Sequence, residues 1–316
     1  MAYVPPRSFL LGLYLALSRR AGRPASRLLA RRARAGREDT ARLGEKTGLT
    51  GIARPAGRLA WFHAASVGEA VSLLELLRRL TGERPGLTCL VTTVTVSSAR
   101  YLETRLPERC VHQYAPLDVL PWVERFLDHW RPDLAVWTES ELWPGMLHAA
   151  HARRIPMLLV NARISARSFR RWQWTGWMAG GLLARFGRIL AQDDRAAAEL
   201  GRLGAQGVVV TGSLKEGAAP LAHDEAERAA IARALGQRPV WLAASTHPGE
   251  EEVVAAVHAR ARQAMPFLAL ILAPRHPPRG DALALMLRAR GWTVAQRSKG
   301  EPFGRDTDVY LAYTLG

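Results

Sequence analysis

The sequence predicts an α/β protein made of two doubly wound units with parallel sheets. Three observations carry this. Short apolar runs of strand length alternate with segments of helical periodicity along most of the chain. The loops between them are short, so each strand returns by a crossover and lies parallel to its neighbour. The apolar runs lack polar alternation, as expected of strands covered on both faces.

In order, residues 59–64 read as a strand and 68–80 as a helix with Val71, Leu74, Leu77 and Leu80 on one side. Residues 87–93 form a continuous apolar run of strand length, and 111–114 a short strand. A helix is expected over 117–130, stopped by Arg131-Pro132. Strand 134–138, helix 144–153, strand 157–161, strand 188–192, helix 195–203 and strand 207–211 follow. The stretch from Gly212 to Asp224 is rich in small residues and suits a linker. Alternation then resumes: helix 225–235, strand 240–244, helix 249–264, strand 268–273, helix 281–290 and strands 293–295 and 309–312. The expected organisation is therefore a segment 1–40, a first domain 41–212, a linker 213–224 and a second domain 225–316. The second domain has fewer strands than the six or so of a complete doubly wound unit.

Composition narrows the partners. The 316 residues are 48% hydrophobic and 23% charged, which is globular. The net charge of +16 comes almost wholly from arginine and argues for an anionic partner. Arg19, Arg20, Arg23, Arg27, Arg31, Arg32, Arg34 and Arg37 form a run without an acidic residue, directly after the apolar stretch from Phe9 to Leu17. Nine apolar residues cannot span a bilayer, which needs about 20. A signal peptide would carry its charge before the apolar run. The pattern fits a segment lying in the interface of an anionic membrane, on the cytoplasmic side, better than a nucleic-acid surface. Cys89 and Cys110 read as buried thiols, and the nine histidines show no ligand pairing, so no metal is expected.

Two segments place acids just past a strand, where open α/β sheets hold their chemistry. In Ser66-Val67-Gly68-Glu69, a capping box has Ser66 capping the helix and Glu69 reaching back. The functional reading is a carboxylate at a helix start, beside a glycine that admits a ligand. In Thr138-Glu139-Ser140-Glu141, Pro144 opposes a cap at Thr138, since a proline inside the helix costs about 3 kcal/mol. The helix is expected to start at Pro144, leaving Glu139 and Glu141 on a loop flanked by Trp137 and Trp143. Carboxylates for hydroxyls and indoles for ring faces describe a sugar site.

In the second domain, Ser245 and Thr246 precede Pro248, and hydroxyls with helix-start amides make an anion site; an ordinary Thr246 cap is the alternative. Pro274, Arg275 and His276 open a basic loop after the next strand, suited to a phosphate or simply solvated. Lys215, in Gly212-Ser213-Leu214-Lys215, stands at the linker as a lone point charge.

Taken in order, W-F-H-A-A-S-V-G-E, V-T-T-V-T, Y-A-P-L-D, T-E-S-E-L-W-P, N-A-R-I-S-A-R-S, A-Q-D, V-T-G-S-L-K and A-P-R-H-P resemble the Kdo transferase family. These are the 3-deoxy-D-manno-octulosonic acid transferases of lipopolysaccharide synthesis. The resemblance implies a GT-B fold, two Rossmann-like domains across a cleft. It implies inverting, metal- and cofactor-free transfer of Kdo from CMP-Kdo to the lipid A precursor (lipid IVA), at the cytoplasmic face of the inner membrane. Carried onto this chain, Glu69 resembles the general base facing the cleft, and Glu139 and Lys215 resemble transition-state stabilisers. Ser66, Gly68, Glu141, Asn161 and Arg163 fall in the same motifs as substrate contacts, with Ser245, Thr246, Pro274, Arg275 and His276 on the nucleotide side.

The chain departs from the family at Ser213, where Asn is usual. An Asp-Thr-x-Gly-Glu segment contacting CMP is matched only by Tyr313-Thr314-Leu315-Gly316, which keeps Leu315 and Gly316 as candidate contacts. The family also continues for roughly another hundred residues. The second domain is therefore expected to be incomplete, with weak CMP-Kdo binding and an exposed apolar face. A non-catalytic membrane-bound remnant that binds the acylated, phosphorylated acceptor is the alternative; another GT-B transferase using a different nucleotide sugar is a third reading.

Overall fold

The computed structural model describes residues 8–139, 141–175, 177–217 and 224–313. The chain divides into two units, Met1–Ala219 and Pro220–Gly316.

The first unit opens with helices α1 (Phe9–Arg20) and α2 (Gly22–Arg34). Strand β1 (Arg58–His63), helix α3 (Val67–Glu83), strand β2 (Leu87–Thr93), helix α4 (Val96–Glu103) and strand β3 (Cys110–Tyr114) follow. Helix α5 (Leu120–Trp130), strand β4 (Leu134–Thr138), helix α6 (Pro144–Ala152) and strand β5 (Met157–Ala162) continue the alternation. The unit closes with α7 (Ala166–Gln173), α8 (Trp177–Leu183), β6 (Arg188–Ala191), α9 (Asp194–Arg202) and β7 (Val208–Val210). All seven strands are parallel, in the order β3-β2-β1-β4-β5-β6-β7. The order reverses between β1 and β4, and such a switch point is where doubly wound sheets bind ligands.

Side chains of β1 alternate between two cores. Leu59 and Trp61 join Phe126 and Trp130 of α5, Leu147 of α6 and Leu182 of α8. Ala60 and Phe62 join Leu73 and Leu77 of α3 on the opposite face. That two-sided burial explains the unbroken apolar runs.

The N-terminal segment is not separate from the first domain, as the division at residue 40 expected. Helix α1 packs on α5, α6 and α8, with Leu11 in the main core, and α2 seats Leu29 against Val119 and Trp122. Phe9, Leu10, Leu13 and Leu17 stay exposed on α1. Among the described residues no helix is long and apolar enough to cross a membrane.

The second unit holds α10 (Glu225–Leu235), β8 (Val240–Thr246), α11 (Glu250–Ala264), β9 (Ala269–Pro274), α12 (Gly280–Ala289), β10 (Val294–Gln296) and β11 (Val309–Leu311). Its sheet is parallel, in the order β10-β11-β9-β8. Central strand β9 is covered on both faces, whereas Val240 and Leu242 of edge strand β8 and Val253 and Val257 of α11 are exposed.

Differences from the sequence reading have local causes. Residues 117–119 are not helical: Leu117 donates its amide to the Lys46 carbonyl, and α5 starts at Leu120 ahead of Pro121. Helices α4, α7 and α8 went unpredicted; each is short, and α7 buries Phe169 alone. Cys89 and Cys110 face each other in register across β2 and β3 as free thiols.

Candidate active site

The switch between β1 and β4 brings the two acid-bearing segments together. After β1 the chain reaches Ser66, whose extended backbone (φ −118°, ψ 166°) and hydroxyl cap α3 by accepting the Glu69 amide at 3.3 Å. The Glu69 carboxylate turns back. Its Oε1 accepts from Ser66 Oγ at 2.8 Å and its Oε2 from the Ala65 amide at 2.9 Å. Oε2 also lies 3.0 Å from the hydroxyl of Thr138, at the end of β4.

The carboxylate is therefore not free of its own cap, and the capping-box geometry is present. It is not remote from solvent either. Ser66 and Gly68 are exposed directly above it, and a Cβ added at Gly68 would meet nothing within 4 Å. Thr138 carries one hydroxyl proton and has two acceptors, Glu69 Oε2 and the His63 carbonyl at 2.9 Å. When Glu69 is ionised, Thr138 donates to it; when Glu69 is protonated, Thr138 turns to His63 and accepts. Both protonation states are thus satisfied. Burial, with smaller contributions from the charges of Glu141 and Glu139, pushes the Glu69 carboxyl above its ordinary range, against the Ala65 and Ser66 hydrogen bonds.

Past β4, Glu139 adopts a left-handed backbone, φ 55°, while its amide stays on the Val160 carbonyl of β5 at 3.1 Å. A residue of this type at positive φ is strained and persists where its surroundings fix it. Its Oε2 takes both Nε and Nη2 of Arg163, at 3.0 and 2.9 Å, and Oε1 has no hydrogen-bond partner among the described residues. Glu141 Oε2 accepts the Trp143 indole N–H at 2.5 Å. Helix α6 starts at Pro144, as the sequence required.

At the end of β5, Asn161 repeats the left-handed backbone, φ 54°, and is buried. Its Oδ1 accepts from the Leu214 amide at 3.1 Å and lies 3.4 Å from Ser213 Oγ, while Nδ2 has no partner among the described residues. Asn161 thereby holds the turn that presents Lys215, which is exposed. The strand ends thus carry two contacts across the sheet, Glu69 to Thr138 and Asn161 to Ser213 and Leu214, joined through the bond of the Glu139 amide to the Val160 carbonyl.

The aromatic expectation is half corrected. Trp137 is fully buried, 4.7 Å from Trp61 and 6.1 Å from Phe186 in the core, and offers no sugar platform. Alternation along β4 turns it away from the ligand side. Trp143 is half-buried, edge-on to His63 at 5.4 Å. Sequence reasoning missed Thr138 as the link between the two acids, because only the strand order places it beside Glu69.

In the second unit, the expected anion site at the start of α11 is revised. The helix begins at Glu250 with Gly249 at φ 94° as its cap residue, so Pro248 precedes the helix and Thr246 does not cap it. The buried Thr246 hydroxyl donates to Glu251 Oε1 at 3.0 Å, and the His247 amide donates to Glu250 Oε2 at 2.7 Å. Burial raises the Glu251 carboxyl, but the Arg279 fork and Thr246 outweigh that and hold it below its ordinary range. Three glutamates occupy the first turn, the wrong sign for an anion. Ser245, at φ 60°, is exposed, as are Arg275 and His276, while Pro274 is buried at the end of β9. Leu315 and Gly316 lie outside the described residues.

A family model described as 3-deoxy-D-manno-octulosonic-acid transferase (Kdo transferase) matches residues 41–218. The chain belongs to the Kdo transferase family. A 3-deoxy-D-manno-octulosonic acid transferase of Bordetella pertussis is 39% identical over 283 residues, covering 85% of this chain and 65% of its own length. That of Rickettsia felis is 32% identical over 280 residues, covering 89% of this chain and 60% of the relative. The chain thus spans under two thirds of these Kdo transferases. Among solved structures, the Neisseria meningitidis UDP-GlcNAc 2-epimerase bound to UDP-GlcNAc superposes with a TM-score of 0.55 at 12% identity, covering 82% of this chain and 72% of that one. Staphylococcus aureus MnaA with UDP gives 0.55 at 16% identity, covering 82% and 69%. These likenesses establish the GT-B fold class and nothing finer.

Proposed function

We propose that the chain works as a Kdo transferase, moving Kdo from CMP-Kdo to a lipid A precursor such as lipid IVA in lipopolysaccharide synthesis. The observation that supports it best is the Glu69–Thr138 pair at the switch point, a buried acid with raised affinity for a proton just below an exposed helix start. In the proposed step, Glu69 takes the proton of an acceptor hydroxyl. The hydroxyl oxygen bonds to the anomeric carbon of Kdo, and the bond to the CMP phosphate oxygen breaks with inversion. CMP leaves with the electron pair. Glu139, through its uncommitted oxygen, supports the cationic character of the sugar ring. Lys215 supplies positive charge for the departing phosphate, so no metal is invoked. Arg275 and His276, exposed after β9, are the candidate nucleotide contacts.

The second part of the reading is attachment to the anionic cytoplasmic face of the inner membrane. It is supported by the exposed apolar side of α1, by the exposed arginines of α2 and by Trp174 and Trp177, 90% and 77% exposed beside Arg167, Arg170 and Arg171. The alternative, a remnant that binds the acylated acceptor without transfer, shares that surface. Kdo transfer measured with CMP-Kdo and the acceptor, comparing the chain with Glu69→Ala, separates them. Activity lost on substitution supports transfer. No activity in either protein, with acceptor binding retained, rejects it.

A further inference from the structure

Helix α6, which carries the acid-bearing loop, lacks a cap of its own: Trp143 at its N-cap makes no side-chain hydrogen bond to the first turn. Asp118, from the segment before α5, supplies one from outside. Its Oδ2 accepts the Gly145 amide at 2.8 Å and its Oδ1 the Met146 amide at 2.7 Å. These are otherwise unpartnered donors of a helix start, and a carboxylate there is favoured by the helix dipole. The same Oδ2 accepts the Tyr14 phenol of α1 at 2.6 Å. The Asp118 carbonyl accepts Ser18 Oγ at 2.7 Å, and Ser18 Oγ in turn accepts the Leu120 amide at 2.9 Å. The fit is close enough that a Cβ on Gly145 would stand 2.6 Å from Asp118 Oδ1. From the first turn of α6, contact passes on through Trp143, whose indole binds Glu141 and whose amide binds the Glu141 carbonyl at 3.2 Å.

We propose that Asp118 is a positioning residue: it fixes residues 141–143 through the first turn of α6 and ties them, through Tyr14, to helix α1. The catalytic consequence rests on the transferase reading above; the positioning itself does not. Asp118 touches neither substrate nor the reacting atoms, and acts by holding the carboxylate of Glu141 through Trp143, whereas Glu139 is held separately by Val160 and Arg163. Misplacement of such groups by about 1 Å costs on the order of a hundredfold in rate. Because α1 supplies the Tyr14 bond, a shift of the lipid-side helix reaches the acidic loop through one side chain.

The test is a substitution cycle of Asp118→Ala, Gly145→Ala and the pair, read by amide hydrogen exchange and by transfer kinetics with CMP-Kdo. Each single variant speeds exchange of the first α6 turn and of 141–143 while leaving α3 unchanged. The pair is no worse than Asp118→Ala, since the added methyl then has no carboxylate to displace. Kinetically, kcat falls about tenfold or more with acceptor KM nearly constant, and Tyr14→Phe gives a smaller loss of the same kind. Additive effects of the two singles, or unchanged exchange at Gly145 and Met146, overturn the proposal; so does a loss confined to KM. Should Asp118→Ala not fold, Asp118→Asn keeps the shape, and the selective exchange change at Gly145 decides. A Glu141→Gln control separates the two readings: exchange altered as expected, with transfer indifferent to Glu141→Gln, leaves Asp118 as the loop's anchor and rejects the catalytic role of residues 141–143.

Discussion

Glu69 is a residue where stability and chemistry pull in opposite directions. Its carboxyl is raised by burial, so the folded chain binds its proton more tightly than the unfolded chain. The stability this group contributes is complete below the unfolded value of about 4.3 and is lost as pH rises through the folded one. Glu69→Gln removes the ionisation and keeps an acceptor for the Ala65 amide. The expected outcome is a melting temperature at pH 8 equal to or above that of the parent, with transfer reduced about a hundredfold or more. A scanning calorimetry trace paired with a rate assay checks both halves; a clear loss of stability with the rate preserved would leave Glu69 as a cap alone. His63 has the opposite sign. Burial pushes it down to about 3, and burial followed by the Arg42 charge does the same to His112. Their stabilisation is complete above about 6.5 and is lost as pH falls below it. Denaturant midpoints should decline from pH 6.5 towards 4, and a His63→Gln/His112→Gln protein should show a flatter decline. At this scale the sequence disclosed both readings of Glu69, since S-x-x-E at a strand end permits a cap and a base alike. It could not disclose Thr138 as a partner, because a contact across 69 positions depends on which strands are neighbours.

The segment between α2 and β1 shows what periodicity leaves unread among elements. Residues 38–47 have neither strand nor helical alternation, yet they bury an ionic knot against β3. Lys46 Nζ meets Glu38 Oε2 at 2.5 Å and the Val94 carbonyl at 2.8 Å, and Arg32 binds the other Glu38 oxygen. Glu45, forked by Arg42, accepts the Tyr114 amide at 2.7 Å at the end of β3. Burial raises the Glu38 carboxyl, but Lys46 and Arg32 outweigh it and hold it below its ordinary range. Lys46→Met leaves that carboxylate with Arg32 as its remaining cation and should cost about 1–3 kcal/mol of the first unit's stability. The double variant Glu38→Leu/Lys46→Met should recover most of the loss, since removing both charges removes the desolvation penalty with the attraction. Urea unfolding followed by tryptophan fluorescence measures the pair; a double variant as unstable as the single one would contradict the account. The longer elements were legible for the reason that these contacts were not. β2, β4 and α10 have the bounds read from their apolar patterns, whereas α7 is dominated by arginine and buries one phenylalanine.

Across the whole molecule, the +16 net charge has a structural address. Arg23, Arg27, Arg31 and Arg34 are exposed along α2, next to the apolar side of α1. Arg167, Arg170 and Arg171 are exposed on α7, and Trp174 and Trp177 stand out beyond it, with α8 packed on α1. The first cluster was visible as an apolar run followed by arginines; the second was not, since it is separated from the N-terminus by over a hundred positions and only the packing of α8 on α1 relates the two. Arginines beside exposed indoles suit the interface of an anionic bilayer, where each cation near the surface contributes about 1 kcal/mol and the ring sits at headgroup depth. The chain should therefore float with vesicles containing phosphatidylglycerol and not with pure phosphatidylcholine, and binding should weaken as salt shortens the screening length. Replacing Arg167, Arg170 and Arg171 with alanine should lower the partition coefficient on the order of a hundredfold, from about 3 kcal/mol of lost attraction. Trp174→Ala/Trp177→Ala should lower binding at every salt concentration with an unchanged salt slope, because the indoles contribute through burial in the interface and not through charge. Equal flotation with both vesicle types, or a tryptophan variant that alters only the salt slope, would remove the membrane reading from this surface and return the arginine excess to ordinary solvation.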